Sequence, residues 1–166
     1  MKIYIGLIVL LTLFISSCGS DSSVSDPEDV GPQVMDLLED LGELSKEDFR
    51  DYFMTLEEVR ELGENKDVIK DEDGRNRLTK MTKEDRDKEL DRSFSRLIET
   101  GSELGIKWSE VEMDDFAYEV ETKRGIKSCR GELTFKHGSD KFVVRTISIF
   151  DGSDYCLVEV GRPRKK

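Results

Sequence analysis

The stretch IKSCRGELTFKHGSDKFVVRTISIF, residues 126–150, decides the fold. Leu133 and Phe135 alternate with polar neighbours, and Phe142, Val144 and Ile149 belong to a longer apolar run that ends at Phe150. A period of two is the signature of strands. Gly138 breaks the run and marks a turn. Setting Lys136 opposite Lys141, across His137 to Asp140, gives a hairpin whose register can be written down. Phe135 then faces Phe142, Leu133 faces Val144, and Cys129 faces Ser148. One face collects the large apolar groups, as a correct register must.

The same test extends upstream. Phe116, Tyr118 and Val120 alternate with polar residues, and Arg124-Gly125 reads as the turn. With Lys123 opposite Ile126, Phe116 faces Leu133, Tyr118 faces Gly131, and Val120 faces Cys129. Both hairpins therefore place the same apolar set on one face. Downstream, Tyr155 to Val160 follows Gly152 and closes a four-stranded antiparallel meander over residues 111–160. Two features resist a regular sheet. Val143, Ile147 and Ile149 point away from the apolar set, so that face is either covered by helices or offered to a partner. In the last strand, a four-residue loop at 151–154 turns Tyr155 and Leu157 inward, while Cys156, Val158 and Val160 compete for the same face. This predicts an irregularity in the loop or a bulge near Gly152, with Cys156 inward beside Phe150.

Upstream of the strands the apolar period is helical. Val34, Leu37, Leu38, Leu41 and Leu44 form one stripe, with Pro32 in its first turn. Ser45 with Asp48 and Thr55 with Glu58 carry the pattern of capping boxes. Phe49, Tyr52, Phe53, Leu56, Val59 and Leu62 read as packing residues, and Gly63 as a C-cap. Thr82 with Asp85 starts a long helix whose Leu90, Phe94, Leu97 and Ile98 share a face, ending at Leu104-Gly105. This helix, residues 85–104, is expected to pack on the sheet. Between them, residues 64–83 are highly charged. Asp71-Glu72-Asp73-Gly74 suggests a calcium loop, but with Gly74 in sixth place the loop would run from Ile69 to Lys80, neither of which supplies a carboxylate. The segment reads instead as a mobile turn. The fold class is thus α+β: N-terminal helices, then a helix packed on a curved antiparallel four-stranded meander. A single domain is expected over 31–166, helical over 31–105.

The N-terminus has a separate character. Lys2 precedes an apolar run from Ile3 to Ile15, too short to span a bilayer as a helix. Ile15-Ser16-Ser17-Cys18 follows, and it resembles the bacterial lipobox. The resemblance implies a signal peptide over 1–17, cleavage before Cys18, diacylglycerol on the Cys18 thiol and an acylated amino terminus. Several acyl chains make a stable anchor. Residues 18–30, polar and acidic, read as a flexible tether. Gly19 stands where Asp is associated with inner-membrane retention, which favours the outer membrane as the location. The membrane is then one partner, through the Cys18 lipid, and an envelope protein the other.

Composition narrows the chemistry. The 166 residues carry 37 acidic and 26 basic side chains, a formal charge of −11, which disfavours nucleic acid as a partner. The basic tail Arg162 to Lys166 reads as a solvated terminus. With Cys18 acylated, Cys129 and Cys156 remain. One strand separates them in a meander, so about 9.6 Å of sheet lies between, beyond the reach of a disulfide. Both are expected to be free thiols, and a bond would require a different strand order. His137, the one histidine, sits in a turn without Cys or His at ligand spacing, so neither a metal nor another cofactor is implied. Asp114 and Asp115 point to opposite faces of a strand and read as a solvated strand start. Nucleophile-elbow, zinc-protease, phosphate-loop and dinucleotide motifs are absent from the sequence.

Helices followed by a curled meander, with Gly131-Glu132-Leu133-Thr134-Phe135 and Phe150 to Tyr155 as the segments most alike, resemble NTF2-like and cystatin-like α+β folds. The resemblance implies a concave sheet, on which Tyr118 opposite Gly131, with Thr146 and Ser148 nearby, would form a candidate pocket. Domains of these folds serve as enzymes, binding modules or assembly units, so fold alone fixes no function. The expected function is a lipid-anchored envelope protein with a non-catalytic binding or interaction domain. An enzyme with its site in the concave sheet, and an inhibitor or immunity lipoprotein, are the alternatives.

Overall fold

The computed structural model describes residues 23–166. The signal segment 1–17, the lipidation residue Cys18 and Gly19 lie outside the described residues. Strand β1 (Ser23–Val24) and a 3-10 turn (Pro27–Asp29) lead into α1 (Val30–Asp40), α2 (Lys46–Asp51), α3 (Leu56–Glu64), α4 (Glu72–Thr79) and α5 (Lys83–Glu103). A 3-10 turn at Trp108–Glu110 then introduces β2 (Val111–Lys123), β3 (Ile126–His137), β4 (Asp140–Phe150), β5 (Tyr155–Val160) and β6 (Arg164–Lys165). The fold is α+β, with the helices preceding a curled antiparallel sheet of order β1-β5-β4-β3-β2, with β6 also paired to β4.

The helix starts are set locally. Ser45 and Thr55 both form complete capping boxes, and Thr82 accepts from the Asp85 amide. The charged segment is corrected: residues 72–79 are helical, and Asp71 is an N-cap that accepts from the Gly74 amide at 2.7 Å. An Asp followed by two acids in a first turn suits a helix N-terminus on both hydrogen-bonding and dipole grounds. Gly63 is likewise no C-cap. It lies within α3, where a Cβ would meet the Leu78 side chain at 2.9 Å, so it sets the close approach of α3 and α4.

The strand register agrees with the expectation pair by pair through both hairpins. Lys123 faces Ile126, Tyr118 faces Gly131, Leu133 faces Val144, and Phe135 faces Phe142. Arg124 and Gly125 have φ of +52° and +74°, the mirror-image turn that a two-residue hairpin prefers. Two bulges break the regularity. Met113 faces Phe135 and Asp115 faces Thr134, which leaves Asp114 outside the ladder. Ser148 faces Leu157 while Ile147 faces Glu159, which leaves Val158 outside it. Each bulge shifts the side-chain alternation by one. Val111 and Met113 thereby share a face with Phe116 and Tyr118, and Tyr155 and Leu157 share one with Val160. The expected irregularity near Gly152 is therefore corrected. Phe150 pairs with Tyr155 across a plain four-residue loop, and the break comes later, at Val158. Cys156 consequently faces away from Phe150 and the main core.

Two apolar clusters sit on opposite faces of the sheet. The larger joins Val34, Leu37, Leu38 and Leu41 of α1, Phe49 of α2, and Leu90 and Leu97 of α5 to Cys129, Leu133, Phe135, Phe142, Val144 and Leu157. The central seat belongs to α1, which lies against β2, β3 and β5; α5 packs on α2 and β5. The second cluster, Met54, Val59, Leu62, Ile69, Leu78 and Cys156, covers the other face at one end, against Ile126, Ile149 and Val158. Helical cover thus reaches Ile149, while Ile147 and Val143, equally half-buried, belong to neither cluster.

Both chain ends of the domain are tied down, unlike the tether and tail expected. Ser23 pairs with Cys156 and Val24 with Tyr155, so residues from 23 onward belong to the domain. At the other end, Arg164 and Lys165 pair with Val143 and Phe142, and Lys165 meets Asp140 at 2.9 Å. Gly161 and Pro163 interrupt this edge between β5 and β6, where Pro has no N–H to donate.

Candidate functional site

Three of the four residues of the candidate pocket, Tyr118, Gly131 and Thr146, border one open depression, and Ser148 does not. Gly131, Thr146 and Ser148 are buried on the helix-covered face, where Gly131 pairs with Thr146. The ring of Phe116 fills the space before them. A Cβ on Gly131 would lie 2.5 Å from the Phe116 Cζ and 2.6 Å from the Thr146 Oγ1. At the root of the same side chain, a Cβ on Gly31 of α1 would lie 2.5 Å from the Phe116 Cγ. Two glycines therefore make the slot that this ring occupies. Behind it, the Thr146 and Ser148 hydroxyls are buried with no hydrogen-bond partner among the described residues. Tyr118 is the fourth residue and stands outside the slot, stacked on Phe116 at 5.6 Å and 43% exposed.

Other chemical groups are engaged structurally. Cys129 and Cys156 are free and buried, on opposite faces of the sheet. Burial pushes the Cys129 thiol up to about 11. Burial, aided by the Asp151 carboxylate, pushes Cys156 up to about 12. His137 closes the β3–β4 hairpin opposite Asp140, with its Nε2 3.7 Å from a Glu110 oxygen. Among the described residues no group of His, Cys, Asp or Glu could hold a metal ion, and no helix is long and apolar enough to cross a membrane.

Two depressions are open to solvent. One, of about 690 Å³, runs between α5 and the end of β5, past Glu89, Ser93, Arg96, Glu99 and Arg162. The other, of about 540 Å³, is the one that Tyr118, Gly131 and Thr146 border; the charged and apolar side chains around it are Ala117, Arg130, Glu132, Arg145, Ile147 and Glu159. By the alternation of strands, the side chains of those six residues occupy the face opposite α1. Their charges already interlock: Arg145 meets Glu132 at 3.0 Å, and Arg130 pairs with Glu121.

The surface with the most unfulfilled bonding capacity is the outer edge of β2. This strand is 13 residues long and ends the sheet, pairing with β3 alone among the described residues. The three exposed large hydrophobic residues of the described chain, Met113, Tyr118 and Val120, all lie on it. Its opposite alternation is acidic, with Glu119 and Glu121 beside Ala117. Glu112, Asp115 and Glu119 have no ion-pair partner among the described residues, whereas Asp114 holds both Lys136 and Lys141. The 3-10 turn Pro27–Asp29, with Glu28 and Asp29, packs beside β2 and extends the acidic field. Of this edge, sequence reasoning singled out Tyr118 alone. The signal was present in Glu112 to Glu121, where acids and apolar groups alternate on a strand that a meander necessarily leaves at its border.

No family model matches the chain, and neither a curated protein nor a solved structure matches it.

Proposed function

We propose that this chain is a lipid-anchored cell-envelope protein whose domain is a non-catalytic interaction module, with the open edge of β2 as its binding surface. One observation carries the binding part. A 13-residue border strand presents unpaired backbone and exposed Tyr118 and Val120 to solvent. Border strands with these properties are templates for pairing with another chain. The anchor rests on the lipobox residues Ile15-Ser16-Ser17-Cys18, and Gly19 favours the outer membrane. Docking of Ser23 and Val24 against β5 leaves few residues between Cys18 and the folded domain, so the module would sit close to the lipid surface. An envelope protein is the partner class, and its basic character suits the net charge of −11.

Metabolic labelling with an alkyne fatty acid tests the anchor. Wild-type protein takes up label and Cys18→Ser does not; equal labelling of both removes the anchor from the account. The enzyme alternative, an NTF2-like domain with its site in the concave sheet, draws support from the two buried hydroxyls of Thr146 and Ser148 behind Phe116. Under that reading Phe116→Ala opens a polar pocket and changes turnover of a substrate; under the interaction reading it destabilises the domain and exposes no activity. The inhibitor or immunity reading differs from the first in its partner alone, a basic enzyme or toxin.

A further inference from the structure

The interaction reading leaves open what kind of chain the β2 edge accepts, and the geometry of the strand is specific on that point. The two-residue turn Arg124-Gly125 makes Lys123 and Ile126 a hydrogen-bonded closing pair. Bonded and non-bonded pairs alternate along an antiparallel ladder. Glu121 with Ser128, Glu119 with Arg130, and Ala117 with Glu132 are therefore the bonded pairs. Phe116, Tyr118, Val120 and Thr122 consequently direct their N–H and C=O groups away from β3. The residues that offer free backbone bonds on this edge are thus the ones whose side chains form the exposed apolar row of Tyr118 and Val120. On the opposite face, Asp115 and Glu119 carry negative charge without an ion-pair partner among the described residues, whereas Glu121 is paired with Arg130. An added strand would meet apolar groups on one face and carboxylates on the other, in register with its own alternation.

Charge decides among occupants. A second copy of the chain pairing β2 against β2 would bring acids of Glu112 to Glu121 against one another, and like charges directly opposite are destabilising. The Asp114 bulge and the acidic row guard the edge against such self-association. An acidic partner meets the same repulsion. Resting on the interaction reading, we infer that the β2 edge binds a basic extended segment of a partner protein, in which apolar and Lys or Arg residues alternate, by adding it to the sheet as a further strand. Apolar residues of that segment lie beside Tyr118 and Val120, and its basic residues lie along the other face, beside Asp115, Ala117 and Glu119.

The test uses the full lipidated chain in zwitterionic micelles and two synthetic peptides, Val-Lys-Val-Lys-Val-Lys-Val and the same peptide with Glu in place of Lys. The lysine peptide binds, weakens with added salt, and protects the Tyr118 and Val120 amides from hydrogen exchange; the glutamate peptide does not bind. Glu119→Lys, an exposed position without an ion pair among the described residues, weakens the lysine peptide about tenfold, the scale set by exchanging an attractive cross-strand pair for a repulsive one. Val120→Pro removes one outward N–H without touching the ladder to β3 and abolishes binding, with circular dichroism checking that the fold is kept. Equal binding of both peptides, indifference to Glu119→Lys, protection confined to other strands, or no binding overturns the inference. Failure of the peptides alongside intact Cys18 labelling removes the strand-addition mode and leaves the anchor standing; peptide binding without Cys18 labelling does the reverse.

Discussion

Phe116 lies in van der Waals conflict with any side chain at Gly131: a Cβ there would stand 2.5 Å from the ring's Cζ. The pair explains why a strand facing the core contains a glycine. It also links β2 to α1, because the root of the same ring lies against Gly31. Gly131→Ala must push the ring outward or spread β2 from α1. Overpacking of this kind costs ~1–3 kcal/mol. Glycine to alanine within a strand is otherwise neutral or favourable, so the sign is diagnostic. Urea unfolding of Gly131→Ala should show a lowered midpoint with an unchanged slope. An unchanged or raised midpoint means that the slot tolerates a methyl group.

Arg86 holds the region where β5 bulges. Its guanidinium is buried and donates to the Met54 carbonyl at 3.0 Å and the Val158 carbonyl at 3.4 Å. Burial lowers its pKa, opposed by the nearby Glu89 carboxylate. Arg86→Met keeps most of the side-chain volume and removes both bonds. Orphaned carbonyls cost ~1–3 kcal/mol in all, partly offset by relieving a buried charge. The expected result is a net loss of stability, with faster hydrogen exchange at residues 157–160. Greater stability would show that desolvation of the guanidinium outweighs the two bonds.

Much of this fold was legible in the sequence, and the failures have identifiable causes. Register through the β2–β3 and β3–β4 hairpins followed from Arg124-Gly125, Gly138 and a strict alternation, which leave one apolar arrangement. The bulges were half legible. Val111 and Met113 alternate on one parity and Phe116, Tyr118 and Val120 on the other, which requires one extra residue between them. In β5 the same kind of conflict was seen, but a loop change and a bulge explain the pattern equally, so Val158 could not be singled out. Strands of two residues, β1 and β6, carry no period at all. Stripes on α1 and α5 are both amphipathic, and nothing local says which helix takes the centre of the sheet. Tyr118 was correctly placed opposite Gly131. The content of the notch was not, because it depends on Gly31, 85 or more residues away along the chain.

Asp114 sits outside the β2–β3 ladder, and its carboxyl is held down to about 2 by side-chain hydrogen bonds from Lys136 and then Lys141. A folded-state pKa below the ordinary 3.8 contributes stability that is present above that value and is lost as pH falls through about 2. Acid titration of the wild type should therefore lose stability across this window. Asp114→Asn should lack that increment and follow a shallower acid profile. Identical profiles would show that the two lysines are exchanged for water in solution.

Cys129 and Cys156 sit on opposite faces of the sheet with raised thiol pKa values, about 11 and about 12. The thiolate is the reactive form, and burial suppresses it. Neither thiol of the folded domain should react with Ellman's reagent at mildly alkaline pH, and both should react once the chain is unfolded in denaturant without reductant. Rapid modification of Cys156 in the folded protein would mean that α3 and α4 leave the sheet readily. A missing pair of thiols after unfolding would reveal a disulfide, which this strand order excludes.

In the proposed function, β2 is the surface through which the anchored domain meets its partner. Photo-cross-linking residues placed at Tyr118, at Val120 and, as a control, at Glu61 on the exposed side of α3 test it in native envelopes carrying the full chain. The expected outcome is one adduct of the same mass from Tyr118 and Val120, none from Glu61, and loss of that adduct at high salt or in Glu119→Lys. No adduct from either β2 position, or the same adduct from Glu61, contradicts it.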